Sequence, residues 1–336
     1  MSDAPALSPH PDRLLPPDPG TRAVARELYE RVRELPIVSP HGHVPPSLLL
    51  DDEPFADPTS LLVTPDHYVT RLLHASGVPL ERLGVGQGPL DEATSRAAWR
   101  TLCEHWHVFR GTPVRYWLES ELAEIFEVSV RPSARTADDV YDHLAERLAR
   151  PEFRPRALFE RFGISVLATT DDPVDDLAAH AALAADPSFR GRVIPTFRPD
   201  RYLEPARPGW VAAVDRLGEV TGVDVSTYAG WVEAIERRRE FFASRGAVST
   251  DHSHDDVGSH PLDATEAERI YAAARAGEVS EAEGTALRRH MFLEMARMAT
   301  EDGLTMTVHP GVRRSHHGPT AERFGPDTGH DIPIAG

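Results

Sequence analysis

The chain has 336 residues, 40% of them hydrophobic and 26% charged, a balance that suits a globular core and excludes collagen-like or disordered architectures. Thirty-six basic against 53 acidic residues leave a formal charge of −17, a field that repels nucleic acid and anionic lipid surfaces, so any anionic ligand must be held by local arginines. Lysine is absent, which removes Schiff-base, P-loop and carbamylated-lysine chemistry together.

Asparagine is absent as well, and with the Arg, Ala and Pro bias this reads as genome composition rather than chemistry. The lone cysteine, Cys103, cannot close an intramolecular disulfide, and the first twenty residues have neither a basic nor an apolar leader region. A cytoplasmic setting is therefore expected, with no membrane and no nucleic-acid partner. Seventeen histidines make metal or acid–base chemistry the first place to look.

Residues 1–20 carry six prolines and read as a loose arm, followed by a helix over about Thr21–Leu35 that Pro36 stops. PIVSPHGHVPP then reads as a short buried strand that delivers His41 and His43 on one side at its C-terminal end. From Val44 to Pro155 short amphipathic pieces alternate with Gly/Pro breaks, the pattern of a helical insertion. Within it Tyr116, Trp117, Leu118, Leu122, Ile125 and Phe126 recur at helical spacing and are expected to pack as core.

Strand–helix alternation follows. Apolar runs at 164–173, 192–200, 247–256 and 304–311 each end in charged or histidine residues, with helices between them, the longest over about Ser280–Glu301. This is a parallel α/β arrangement, in which residues at strand C-termini form the active site. Five such strands can be found, against the eight of a closed (β/α)8 barrel. The expected division is 1–43 (arm, first helix, first strand), 44–155 (helical insertion) and 156–336 (remaining barrel strands and helices).

The strand ends carry the chemistry. Two imidazoles at i and i+2, His41 and His43, can share one divalent metal, with Gly42 leaving room between them. Asp171 and Asp172 in TTDDP read as helix N-caps, with acid–base work as the competing reading. Arg198 can clamp a carboxylate through its planar fork or pair with Asp200. TDHSHDD offers Asp251, His252 and a second H-x-H through His254, whose carboxylate neighbours could orient an imidazole. His309 ends the last run, and Arg314 follows five residues later.

PIVSPHGHVPP, TPDHYVTRLLHASGV, LATTDDPVDDL, VIPTFRPDRYLEP, VSTDH and TVHPGVRR, in this order, resemble the uronate isomerase (glucuronate isomerase) family of the amidohydrolase superfamily over about residues 20–335. The resemblance implies a distorted (β/α)8 barrel with a helical insertion after the first strand. It also implies interconversion of D-glucuronate with D-fructuronate, and of D-galacturonate with D-tagaturonate, through a cis-enediol. On the same resemblance His41 and His43 would hold zinc, or another divalent metal. Tyr68 would assist proton transfer, Arg198, His309 and Arg314 would contact the substrate, and Asp251 and His252 would lie at an active-site strand end.

Members of that family continue through two further strands, the last with a metal-binding aspartate favoured as the proton-transfer base, which has no counterpart here. A C-terminally truncated chain is therefore expected. The rival readings are a mononuclear metal-dependent amidohydrolase and an inactive remnant. A uronic acid is the expected small-molecule partner; the sequence leaves the oligomeric state open, a homo-oligomer included.

Overall fold

The structure, a computed structural model, describes residues 5–334; the outermost residues of the first and last expected segments lie outside that range. Its contacts divide the chain into two compact units. One comprises residues 1–36, 52–163 and 314–332, and the other 37–51, 164–313 and 333–336. The helix after the first strand, Pro46–Asp51, thus groups with the strands, whereas the sequence reading placed it with the insertion.

The first unit is helical. Its opening helix runs Pro19–Val32, two residues ahead of the expected span at its start, because Asp18 accepts the Thr21 N–H as N-cap and Pro19 fits the first turn. The helices His67–Ala75, Glu92–Glu104 and Ala137–Leu148 bury Val69, Leu73, Trp99, Leu102, Val140 and Leu144 at three- and four-residue spacings. Between them Pro113–Ser120 runs into a wider π-turn over Glu121–Ile125. Of the stripe expected to form core there, Leu118, Leu122 and Phe126 are buried, but Trp117 is 42% exposed and meets Tyr68 edge-on at 6.0 Å. The π-turn breaks the 3.6-residue period, so a single stripe cannot stay on one face.

Glu121, at the start of that turn, is pushed up to about 7 by burial, with the Asp66 carboxylate adding to the effect. The folded chain therefore holds its proton more tightly than the unfolded chain does, and stability falls as pH rises from 4.5 through about 7. Glu121→Gln removes this term. We expect the variant to match the parent at pH 4 and to exceed it by about 2 kcal/mol at pH 8, measured by urea unfolding at both pH values.

The second unit contains five parallel strands: β1 (Ile37–Ser39), β2 (Ile164–Ala168), β3 (Arg192–Ile194), β4 (Ser249–His252) and β5 (Thr305–Val308). β1, β2 and β3 pair in that order, with Val38 against Val166 and Leu167 against Val193. β4 pairs with β5, Asp251 against Thr307. The regular ladders are shorter than the apolar runs because each chain leaves the sheet to deliver its polar end. Phe197 joins the two sheets: it bridges in parallel to Asp171 and to Thr250, and its carbonyl accepts the Asp251 N–H at 3.0 Å. Parallel neighbours require crossovers, and helices supply them.

The last of these helices, Glu281–Asp302, starts at a capping box in which Ser280 and Glu283 satisfy each other's backbone N–H, and it stops at Gly303 with φ 76°. Its Leu287, Met291, Met295 and Met298 pack with Trp210, Trp231, Ile235 and Phe242 as the unit's core. Among the described residues no helix is long and apolar enough to cross a membrane. Cys103 is a buried free thiol, and desolvation pushes its pKa up, which leaves it inert.

Candidate active site

The groups gathered at the candidate site lie at the C-terminal ends of four of the five parallel strands, where α/β folds place their ligands. His41 and His43 follow β1 and turn their Nε2 atoms toward each other, 3.1 Å apart. Tetrahedral zinc with Zn–N bonds of ~2.0–2.1 Å would set two imidazole nitrogens about 3.3 Å apart, so this pair fits one ion's coordination edge. Gly42 makes the approach possible. A Cβ there would stand 3.0 Å from the Ala168 carbonyl oxygen and 3.4 Å from Leu167 Cδ1, while Thr170 Oγ1 donates to the Gly42 carbonyl at 2.8 Å. Gly42→Ala requires the loop or the Ala168 carbonyl to give by a few tenths of an ångström, which disturbs the spacing of the two rings. We expect divalent-metal affinity to fall about tenfold, the lower end of what outer-shell changes cost, measured by competition against a chromogenic chelator.

Asp251 lies at the centre of this group. It is fully buried; its Oδ1 lies 2.9 Å from His309 Nδ1 and accepts from Thr307 Oγ1 at 3.4 Å. Its Oδ2 has Arg198 Nη1 at 3.4 Å and His41 Nδ1 at 3.9 Å but no hydrogen-bond partner. A buried carboxylate oxygen faced by a guanidinium and an imidazole is a charged, water-poor point of the kind catalysis uses. The His309 ring is 43% exposed and its centroid is 5.8 Å from that of His41. A proton on Nδ1, the nitrogen that faces Asp251, would leave Nε2 as the lone pair of this ring. Arg198 makes the expected pair with Asp200, its Nε donating to Oδ2 at 2.9 Å.

His252 does not join this group. The pleat of β4 turns it, with Thr250, away from Asp251; it is fully buried against Phe292, its Nε2 is 3.0 Å from Thr250 Oγ1, and burial pushes its pKa down to about 3. A catalytic role shared with Asp251 is therefore corrected by strand alternation: His252 is a neutral buried imidazole. The N-cap reading of the Asp pair is also corrected. Asp171 accepts from Thr169 Oγ1 at 2.6 Å and from the Thr196 N–H at 3.0 Å, tying β2 to β3, while Asp172 makes a local turn with Val174 and accepts the Tyr202 hydroxyl. The next helix starts only at Ala178.

Tyr68 and Arg314 belong to the first unit. There Tyr68 is 44% exposed with Arg71 over its ring, and Arg314 donates to Asp331 at 2.9 Å.

Sequence reasoning left Asp200, His254 and Glu204 out of the site. Among the described residues the structure groups Asp200, His252 and His254 as three metal-type ligands whose donor atoms all lie within 4.8 Å of one another. His254 donates from Nδ1 to Glu204 Oε1 at 2.9 Å. The H-x-H spacing at 252–254 was the available signal, but its partners lie some fifty residues away in sequence.

Sequential parallel strands that bring paired imidazoles, a buried carboxylate, a half-open histidine and an arginine to their C-terminal ends define an α/β enzyme. Residues 20–335 match the family model described as glucuronate isomerase, and the chain belongs to that family. The uronate isomerase of Cutibacterium acnes is 55% identical over 98% of this chain and 70% of its own length, and that of Rhizorhabdus wittichii 51% identical over 99% and 70%. Among solved structures, the glucuronate isomerase of Caulobacter crescentus superposes with a TM-score of 0.94 at 40% identity, covering 98% of this chain and 69% of that one. The uronate isomerase of Thermotoga maritima gives 0.89 at 28%, covering 97% and 69%.

Proposed function

We propose that this chain is a uronate isomerase that interconverts an aldose and a ketose uronate, D-glucuronate with D-fructuronate and D-galacturonate with D-tagaturonate. The observation that carries the reading is the buried Asp251 carboxylate, held by His309 and flanked by His41 and Arg198, in a chain of this family. The expected assignment of β1–β5 to a (β/α)8 barrel is kept as part of the proposal, since consecutive parallel strands separated by helices are the repeating unit of that fold.

The reaction is a pair of proton transfers. A base removes a proton from C2 of the open-chain aldehyde and returns it to C1, while a second proton passes from the O2 hydroxyl to O1, so that the enediol formed between the two transfers collapses to the ketone. His309 would be that base through Nε2, with Asp251, 2.9 Å from Nδ1, favouring the tautomer protonated there. The Arg198 guanidinium would hold the substrate carboxylate, its Nε already fixed by Asp200. His41 and His43 would hold a divalent ion, zinc by preference, and the ion's positive charge would steady the developing enediolate. Tyr68 as a proton-transfer aid and Arg314 as a substrate contact rest on the family resemblance alone.

The test is proton NMR of the zinc-supplemented chain with D-glucuronate in D2O. Loss of the C2 proton signal together with appearance of the ketose is the expected result. Cleavage of amide substrates with no keto-sugar would favour a metal-dependent hydrolase on the same scaffold, and silence in both assays would leave only binding.

A further inference from the structure

Beside the candidate active site, and sharing no donor with the His41–His43 pair, the side chains of Asp200, His252 and His254 form an arrangement that their own hydrogen bonds leave incomplete. His252 Nδ1 and His254 Nε2 have no hydrogen-bond partner although the two residues are 0% and 2% exposed. Buried polar nitrogens are rarely left in this state. The opposite nitrogen of each ring is engaged: Thr250 Oγ1 lies 3.0 Å from His252 Nε2, and Glu204 Oε1 lies 2.9 Å from His254 Nδ1. A carboxylate at Nδ1 keeps the proton there and turns Nε2 of a neutral His254 ring into a lone-pair donor. That nitrogen lies 3.5 Å from Asp200 Oδ1, too far for a good hydrogen bond.

We propose that Asp200, His252 and His254 bind a second divalent transition ion of the zinc class, with Glu204 holding His254 from behind. Two imidazoles and one carboxylate are the donor set of such ions, and the carboxylate–histidine–metal relay supplied by Glu204 is their usual outer support. The neighbouring cations leave room for it. Arg198 binds Asp200 through the other oxygen, Oδ2, and Arg207 approaches Glu204 through Oε2 at 3.5 Å. Oδ1 of Asp200 also accepts the Ser253 N–H at 3.1 Å, which orients the oxygen while leaving it able to ligate. Because Asp200 is shared with Arg198, the ion would brace the arginine that the uronate reading assigns to the substrate carboxylate; this consequence rests on that reading, whereas the binding of the ion does not.

Cobalt(II) serves as the probe. The chain carrying His41→Ala and His43→Ala, stripped of metal and titrated with Co2+, is expected to take up one equivalent with the visible absorption of a low-coordinate cobalt centre. Adding His254→Gln to that background is expected to abolish the uptake, Asp200→Asn to abolish it independently, and Glu204→Gln to weaken it about 10–100-fold. Circular dichroism checks that each variant is folded. Nitrogen-15 NMR of the imidazoles reads the alternative, in which His254 is a doubly protonated ring between Glu204 and Asp200. No cobalt uptake in the His41/His43 variant, uptake that survives both His254→Gln and Asp200→Asn, or a doubly protonated His254 in the metal-exposed protein would each overturn the proposal. Isomerase activity enters none of these readouts, so a failed uronate assay and a failed metal site remain separate results.

Discussion

Asp251→Asn should lower kcat for glucuronate isomerisation by about a hundredfold or more, the range a positioned acid–base group contributes. In the parent chain Oδ1 lies 2.9 Å from His309 Nδ1, and Oδ2 faces Arg198 and His41. An asparagine can keep one of these relations only by breaking the other. With its carbonyl oxygen toward His309, the amide NH2 points at a guanidinium and an imidazole, and the buried negative charge is gone. With its NH2 toward His309, the imidazole must hold its proton on Nε2 and can no longer act as base there. Either way the loss belongs to the chemical step, so kcat should fall further than KM rises. Steady-state kinetics with the fold checked by circular dichroism decides the matter; a kcat within threefold of the parent would remove Asp251 from the reaction.

The reason Asp251 could be found in the sequence is local. A run such as AVSTDH is apolar and β-branched, then turns polar, and strand ends in parallel α/β folds are where ligands bind, so His41, Arg198, Asp251 and His309 were each legible from short windows. The five strands and the long capped helix were legible for the same reason: their signals are periodicity and capping chemistry within a few residues. What was not legible depends on partners distant in the chain. Asp171 reads as a helix cap beside Pro173, yet its decisive partner is the Thr196 N–H on the neighbouring strand. Trp117 falls on an apolar helical stripe until the π-turn at Glu121 shifts the register. His252 stands next to Asp251 in sequence and on the opposite side of β4 in space, which a motif reading cannot see although strand alternation requires it. Asp200, Glu204 and His254 form a group only once β3 and β4 lie side by side through Phe197.

The same Phe197 lies beneath the largest stability effect expected in the chain. The guanidinium of Arg239, 1% exposed, sits 5.7 Å over its ring and makes a two-pronged pair with Asp302, Nε to Oδ2 at 2.6 Å and Nη2 to Oδ1 at 3.0 Å. Asp302 closes the helix Glu281–Asp302 and also accepts the Leu304 N–H at 3.0 Å, setting the turn that leads into β5. Asp302→Ala would leave the buried Arg239 guanidinium without its partner; because the Asp302 side chain is 26% exposed, the cost lies below that of a fully buried pair, at about 2–3 kcal/mol. Domains are held by about 5–15 kcal/mol in total, so the variant should unfold at a markedly lower urea concentration with little change in slope. The pair itself need not be worth that much, because its desolvation offsets most of its attraction. Arg239→Met combined with Asp302→Leu should therefore recover most of the loss, and a double variant as unstable as Asp302→Ala alone would show that the penalty lies in the Leu304 turn rather than in the stranded charge. Recovery would also separate stability from catalysis: Phe197 would keep its apolar cover, the bridge from β2 to β4 would hold, and Asp251 would remain where Arg198 and His309 meet it.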